Sequence, residues 1–193
     1  MATKPKILAF AGSLRNDSTN KKTVKIAMKG ARESGAEVTY IDLKQYPLPV
    51  YDGDIEVESG IPENALKLQE LMLENEGFLI ASPEYNSSVS GALKNMIDWT
   101  SRPNGDLEAG ACYSGKVVSI MSASPGELGG LRGLFDIRKI LSTMGVIVLP
   151  GQYAVYGSFK AFNDAGNLID GESQEAVERL GSNVAKMLEK LNK

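Results

Sequence analysis

The sequence predicts an α/β fold: three layers, with a five-stranded parallel sheet carrying helices on both faces. Short apolar runs such as Ile7–Ala11 and Phe78–Ala81 have the composition of strands buried on both sides. Between the runs lie segments with apolar residues at helical spacing, and polar loops rich in Gly and Pro follow the strands. At 193 residues, 42% apolar and 23% charged, the chain is about one domain's worth of ordinary globular protein. No repeat, low-complexity tract or linker divides it, so 1–193 is expected to be a single domain.

Ile7–Ala11 is the first strand, and Val24, Ile26, Ala27 and Met28 mark the buried face of the helix after it, which stops near Gly35. The connection, Gly12 to Asn20, offers the Ser13, Ser18 and Thr19 hydroxyls, the Asn20 amide, the Arg15 guanidinium and the free N–H groups of a helix start. That inventory suits a phosphate, because unpaired donors, a partial positive charge and an arginine fork all favour an anion. The same residue types also cap ordinary helices. Glu37–Leu43 alternates as a second strand. Pro47, Pro49, Asp52 and Gly53 then open an acidic loop to Gly60, read as an exposed connection with the option of packing over a face or a neighbouring subunit.

Pro62 opens a helix with Ala65, Leu68, Leu71 and Met72 on one side, ending near Gly77. The Phe78–Ala81 strand must turn at Ser82–Asn86, since Pro83 cannot extend a central strand. From Gly91 a short helix carries Leu93, Met96, Ile97 and the sole Trp99, an apolar side large enough to suggest a subunit interface. Lys116–Ser122 is the fourth strand, followed by the loop Ser122-Ala123-Ser124-Pro125-Gly126, in which Glu127 reads as a solvated carboxylate. Leu131 to Met144 is strongly amphipathic, Val146–Leu149 is the fifth strand, and Val177 to Leu191 forms the last covering helix. Gly151–Gly171, with Tyr153, Tyr156, Phe159 and Phe162, shows no usable periodicity. For five such strands the order 2-1-3-4-5 of flavodoxin-like folds is expected, with a ligand beyond the carboxyl ends of strands one and three. The loops after strands one, three and four meet there.

Composition narrows the chemistry. A net charge of −3 without long charge runs leaves no footprint for nucleic acid. No apolar run approaches the length that spans a bilayer and no leader pattern is present, so a cytoplasmic protein without membrane insertion is expected. The lone Cys112 reads as a bystander. Absence of histidine removes the usual general base, the usual zinc ligand and any Ser-His triad, so any chemistry must come from carboxylates, Lys, Tyr, backbone dipoles or a bound cofactor. No G-x-G-x-x-G follows the first strand, which argues against dinucleotide binding in the Rossmann manner.

Gly12-Ser13-Leu14-Arg15 with Ser18 and Asn20, then Pro83-Glu84-Tyr85-Asn86 followed by Ser88, Gly91, Leu93, Lys94, Asn95, Ile97, Asp98 and Trp99, resembles the NADPH-dependent FMN reductase family, which includes bacterial quinone and chromate reductases and related azoreductases. The likeness runs from about Ile7 to Met144. It implies non-covalent FMN with its phosphate held by Ser13, Arg15, Ser18, Thr19 and Asn20. It also implies a flavin ring along Pro83, Glu84, Tyr85 and Asn86, approached from the other side by Ser122, Ala123 and Ser124. By the same resemblance NADPH (or NADH) reduces the flavin, which passes electrons to a small-molecule acceptor in a ping-pong cycle with no catalytic side chain. Arg102, Arg132 and Lys94 are the candidate partners of the NADPH 2′-phosphate by position, and homodimers or homotetramers are expected near the Trp99 helix. The competing reading is a flavodoxin-like electron carrier, disfavoured because such carriers are strongly acidic and lack the Arg15 type of loop.

Overall fold

Alternation along the first strand divides the interior into two cores. In the computed structural model, which describes residues 4–192, Lys6–Ala11 forms β1. Its Ile7, Ala9 and Ala11 join a core with Leu79, Ala81, Val117 and Met121. Leu8 and Phe10 join the opposite core with Phe78, Ile80, Val118 and Ile120.

The remaining strands of this sheet are β2 (Glu37–Tyr40), β3 (Gly77–Ala81), β6 (Val117–Ala123) and β7 (Ile147–Val155), while β4 (Glu84–Tyr85) and β5 (Ser88–Val89) form a separate small hairpin. The sheet runs β2-β1-β3-β6-β7, every pairing parallel. Counted within the sheet this is the expected 2-1-3-4-5. Helices α1 (Thr19–Glu33) and α6 (Gly171–Leu191) cover one face, contributing Val24, Ala27, Val177, Leu180 and Val184 to its core. On the other face lie α3 (Glu63–Leu73), α4 (Gly91–Thr100) and α5 (Leu131–Thr143), with Leu68, Met96 and Leu134 turned inward.

Contact between α1 and α6 is close enough to exclude any side chain at two positions. A Cβ on Gly30 would lie 2.0 Å from the Glu178 carbonyl oxygen, and one on Gly181 would lie 1.8 Å from that of Ala27. The Ser34 and Ser182 hydroxyls meet at 2.7 Å across the same seam, and Lys29 pairs with Glu178 at 2.8 Å.

Four expectations change. β2 stops at Tyr40, and Leu43–Gln45 is a single 3-10 turn capped by Asp42. The acidic stretch holds a short helix, α2 (Gly53–Ser59), capped by Asp52 and burying none of its residues. Instead of ending at Leu149, β7 continues to Val155 through a register shift that sets Val118 against Val148 but Ile120 against Gln152. Arg138 fills the irregularity, donating to the Val148, Leu149 and Pro150 carbonyls and to the Gln152 side chain.

The fourth change concerns the Trp99 helix. Leu93 and Trp99 are fully buried within this chain, and the apolar side that suggested a subunit interface faces its own core. The loop before α2 covers it: Trp99 Nε1 and Asn95 Nδ2 both donate to the Pro49 carbonyl at 2.8 Å, and Tyr51 meets the indole edge-on at 4.9 Å. Packing over a face, the second option for that loop, is what the chain does.

Cys112 is buried beneath the same face, and desolvation pushes its thiol up to about 11. Without thiolate there is no nucleophile at neutral pH. We therefore expect no labelling by iodoacetamide in the native protein and one equivalent after denaturation, read by mass spectrometry.

Candidate functional site

Strands β1, β3 and β6 end side by side, and the loops leaving them enclose a cavity of about 220 Å³. It is lined by Ser13, Arg15, Ser18, Thr19 and Asn20 from the first loop, Pro83, Glu84 and Tyr85 from the second, and Ala123, Ser124 and Pro125 from the third. Ser158 and Phe159, from the segment after β7, complete the lining. Ten of the twelve residues singled out from sequence thus meet at the switch point of the sheet, where a doubly wound fold binds ligands. Asn86 and Ser122 lie outside the lining. Asn86 occupies the exposed tip of the β4–β5 hairpin at φ 51°, and the buried Ser122 hydroxyl donates to the Gly129 carbonyl at 2.6 Å.

The first loop is built to leave donors open. Ser18 caps α1, its oxygen accepting from the Lys21 N–H at 3.4 Å, so the cap hydroxyl hydrogen stays available. Among the described residues the N–H groups of Thr19 and Asn20 have no acceptor, as the geometry of a helix start dictates. Arg15 is exposed and makes no side-chain hydrogen bond or ion pair among them. Ser90, which caps α4, donates to the Gly12 carbonyl at 2.5 Å and fixes where the loop begins. Beside the loop, the buried Lys21 pairs with Asp42 at 2.6 Å and so adds no net charge to it. Burial alone would raise the Asp42 carboxyl, but Lys21 and the Lys44 N–H outweigh it and hold it below its ordinary value.

Asn20 has a role that its residue type does not announce. Its Nδ2 donates to the Ala123 carbonyl at 2.8 Å and its Oδ1 accepts from the Ala123 N–H at 3.0 Å. The amide therefore fastens the end of β6 to the start of α1, and its orientation is set by Ala123 rather than by a ligand.

Glu84 is likewise occupied. One carboxylate oxygen takes two donors from Arg132 at 2.8 and 3.1 Å, and the other takes the Gly133 N–H at 2.9 Å. Burial alone would raise this carboxyl, but the Gly133 N–H and Arg132 outweigh it and hold it below the usual carboxylate range. Its side chain joins the second loop to the first turn of α5 and leaves the cavity without a free carboxylate.

The cations considered for an NADPH 2′-phosphate are all paired: Arg132 with Glu84, Arg102 with Glu56 at 2.8 Å, and Lys94 with Asp98 at 2.6 Å. None lines the cavity, where Arg15 is the cation. Glu127 is exposed, as its surroundings in sequence suggest.

Pro125 belongs to the third loop expected to approach the ligand, whereas Ser158 and Phe159 were not anticipated as lining residues. Ser158 and Phe159 follow a strand extension that sequence periodicity did not reveal, and no local motif marks them. A larger cavity of about 620 Å³ lies along the edge strand, lined by Tyr153, Tyr156, Lys160, Leu168 and Ile169 among others. It lies along the edge strand, and the helix start in its lining, that of α6, carries the Asp170 carboxylate, so the smaller cavity holds the stronger claim for an anion.

These donors fit FMN. Open N–H groups, free hydroxyls and an unpaired guanidinium suit its phosphate, and no carboxylate in the lining remains to repel it. The volume is below the roughly 300 to 1,000 Å³ of sites that enclose drug-sized ligands. It would suit the phosphate tail of a larger cofactor.

Comparison with known proteins agrees. Residues 5–160 match the family model described as NADPH-dependent FMN reductase. The chain is 34% identical over 184 residues to a quinone reductase of Escherichia coli, covering 93% of this chain and 88% of that one. It is 32% identical over 175 residues to an NAD(P)H-dependent FMN reductase of Pseudomonas aeruginosa, with 90% of each chain covered. Among solved structures, the flavoenzyme NAD(P)H:(acceptor) oxidoreductase FerB of Paracoccus denitrificans superimposes with a TM-score of 0.80 at 26% identity, covering 97% of this chain and 98% of that one. A flavodoxin from the domain Archaea, at 13% identity and a TM-score of 0.60, shares the fold. With the loops, the cavity and the matches in agreement, the chain belongs to the NADPH-dependent FMN reductase family.

Proposed function

We propose that this protein transfers hydride from NADPH to bound FMN and passes the electrons to quinone-, azo-, chromate- or flavin-type acceptors in a ping-pong cycle. The observation that carries the site assignment is the cavity at the ends of β1, β3 and β6, with open donors in its first loop and no free carboxylate. Bound FMN supplies the chemistry: it accepts hydride and returns electrons to an acceptor. The chain's own part is to hold and orient. Arg15, the Ser13, Ser18 and Thr19 hydroxyls and the N–H groups of Thr19 and Asn20 take the phosphate. Pro83 and Tyr85 provide flat surface beside it, and Tyr85, 54% exposed, leaves the rim accessible to a second reactant.

The Glu84–Arg132–Gly133 contact fixes where that surface stands relative to α5. No side-chain base is required, in keeping with a chain that has no histidine.

A visible spectrum of the purified protein, followed by anaerobic NADPH and then a quinone, tests the proposal. Flavin bands that bleach with NADPH and return with quinone support it. Bands that bleach with dithionite but not with NADPH would establish the electron carrier instead.

Arg15→Ala should weaken FMN binding by about 1.5 to 3 kcal/mol, the range for a hydrogen bond to a charged group. Flavin fluorescence titration reads this directly, and unchanged affinity would remove Arg15 from the phosphate site.

A further inference from the structure

We infer that Ser158 donates a hydrogen bond to the phosphate of bound FMN, adding a donor from the segment after β7 to those of the first loop. The inference rests on the FMN-binding reading above. Three buried hydroxyls lack a hydrogen-bond partner among the described residues: those of Ser82, Ser119 and Ser158. Ser119 lies inside β6 and Ser82 directly follows β3, and neither lines the cavity. Ser158 lines the cavity. At 1% exposure it is shut off from bulk water, and a hydroxyl buried without a bond destabilises the chain until a partner arrives.

Its position is fixed by the main chain. The Ser158 N–H donates to the Ser124 carbonyl at 3.1 Å, and the Ser124 N–H donates to the Val155 carbonyl at 3.0 Å. Ala123, the residue before Ser124, is the one gripped by the Asn20 amide. A continuous run of hydrogen bonds therefore leads from the start of α1 through the third loop to Ser158, setting this hydroxyl on the anion-binding side of the cavity. A hydroxyl can rotate its hydrogen toward whichever acceptor is present. The acceptor that the surrounding donors recruit is a phosphate oxygen, since the Glu84 carboxylate is already taken by Arg132 and Gly133. Ser158 would thus supply the segment after β7 with a function in the site.

The test is Ser158→Ala, titrated with FMN and with riboflavin, which lacks the phosphate, alongside thermal unfolding of the flavin-free protein. We expect FMN affinity to fall about tenfold, as for loss of one hydrogen bond to a charged group. Riboflavin affinity should stay at its wild-type value, and the flavin-free melting temperature should not fall, since the exchange removes an unpaired buried hydroxyl. Unchanged FMN affinity, or equal weakening of both flavins with a lowered melting temperature, would overturn the inference while leaving FMN binding intact. A wild-type protein that takes up neither flavin would overturn the functional proposal and this inference together.

Discussion

Gly181→Ala should destabilise the flavin-free protein by about 3 kcal/mol, although helix propensity alone predicts the opposite sign. In an exposed helix interior the exchange gains roughly 1 kcal/mol, because alanine loses less backbone freedom on folding than glycine. Here the new methyl group would stand 1.8 Å from the Ala27 carbonyl oxygen and 2.9 Å from the Ala31 nitrogen. These are backbone atoms and cannot turn aside as a side chain can. To admit the methyl, α1 and α6 must separate, which loosens Val24, Val177 and Val184 at once. Overpacking of this kind costs about 1 to 3 kcal/mol and sometimes more, exceeding the propensity gain.

For a chain of this length the loss corresponds to roughly 6 to 12 °C in the unfolding midpoint. Gly30→Ala, against the Glu178 carbonyl at 2.0 Å, should behave alike. The double variant should cost less than the sum, since helices already parted accommodate the second methyl. A midpoint raised by the single change would show that the seam between the helices is compliant.

The second large effect lies at Asn20. Asn20→Ala removes both amide bonds to Ala123 and leaves that residue's N–H and C=O buried without partners. At roughly 1 to 3 kcal/mol for each stranded group, the expected loss is about 2 to 4 kcal/mol in chemical denaturation. FMN affinity should fall as well, because the third loop loses its fixed distance from α1. Reduced affinity with unchanged stability would instead make the Asn20 side chain a direct ligand, as the family resemblance implies.

What the sequence made legible follows from how each element is stabilised. β1, β3 and β6 were readable because both of their faces are buried, which demands continuous apolar runs such as Phe78–Ala81. α1 and α6 were readable because they bury one stripe each. α2 was invisible because it buries nothing: Ile55 and Val57 point to solvent, and the segment is held by the Asp52 cap and by Glu56, which joins Tyr51 to Arg102. The β4–β5 hairpin turns on Asn86 and Ser87, both at positive φ, and serine is an uncommon occupant of that conformation.

At the site, ten of the twelve residues meet in one cavity because residue types and loop positions suffice to bring them to the switch point. Side-chain roles were not recoverable from type alone. The Asn20 amide and the Glu84 carboxylate are spent on Ala123, Arg132 and Gly133, partners about 50 to 100 positions away in the chain. The burial of the Trp99 side within the chain was hidden for the same reason, since its cover comes from Pro49 and Tyr51, about 50 positions earlier.

The irregular course of β7 reaches beyond the site. An outer strand presents a free row of peptide groups to which another polypeptide could pair, and nine residues is a generous length for such a template. Pro150 withholds one donor from that row, the register shift bends the strand, and Arg138 occupies carbonyls that a visiting strand would otherwise use. At the opposite margin β2 is only four residues long. Both margins of the sheet are therefore poor seeds for chain-to-chain β-pairing.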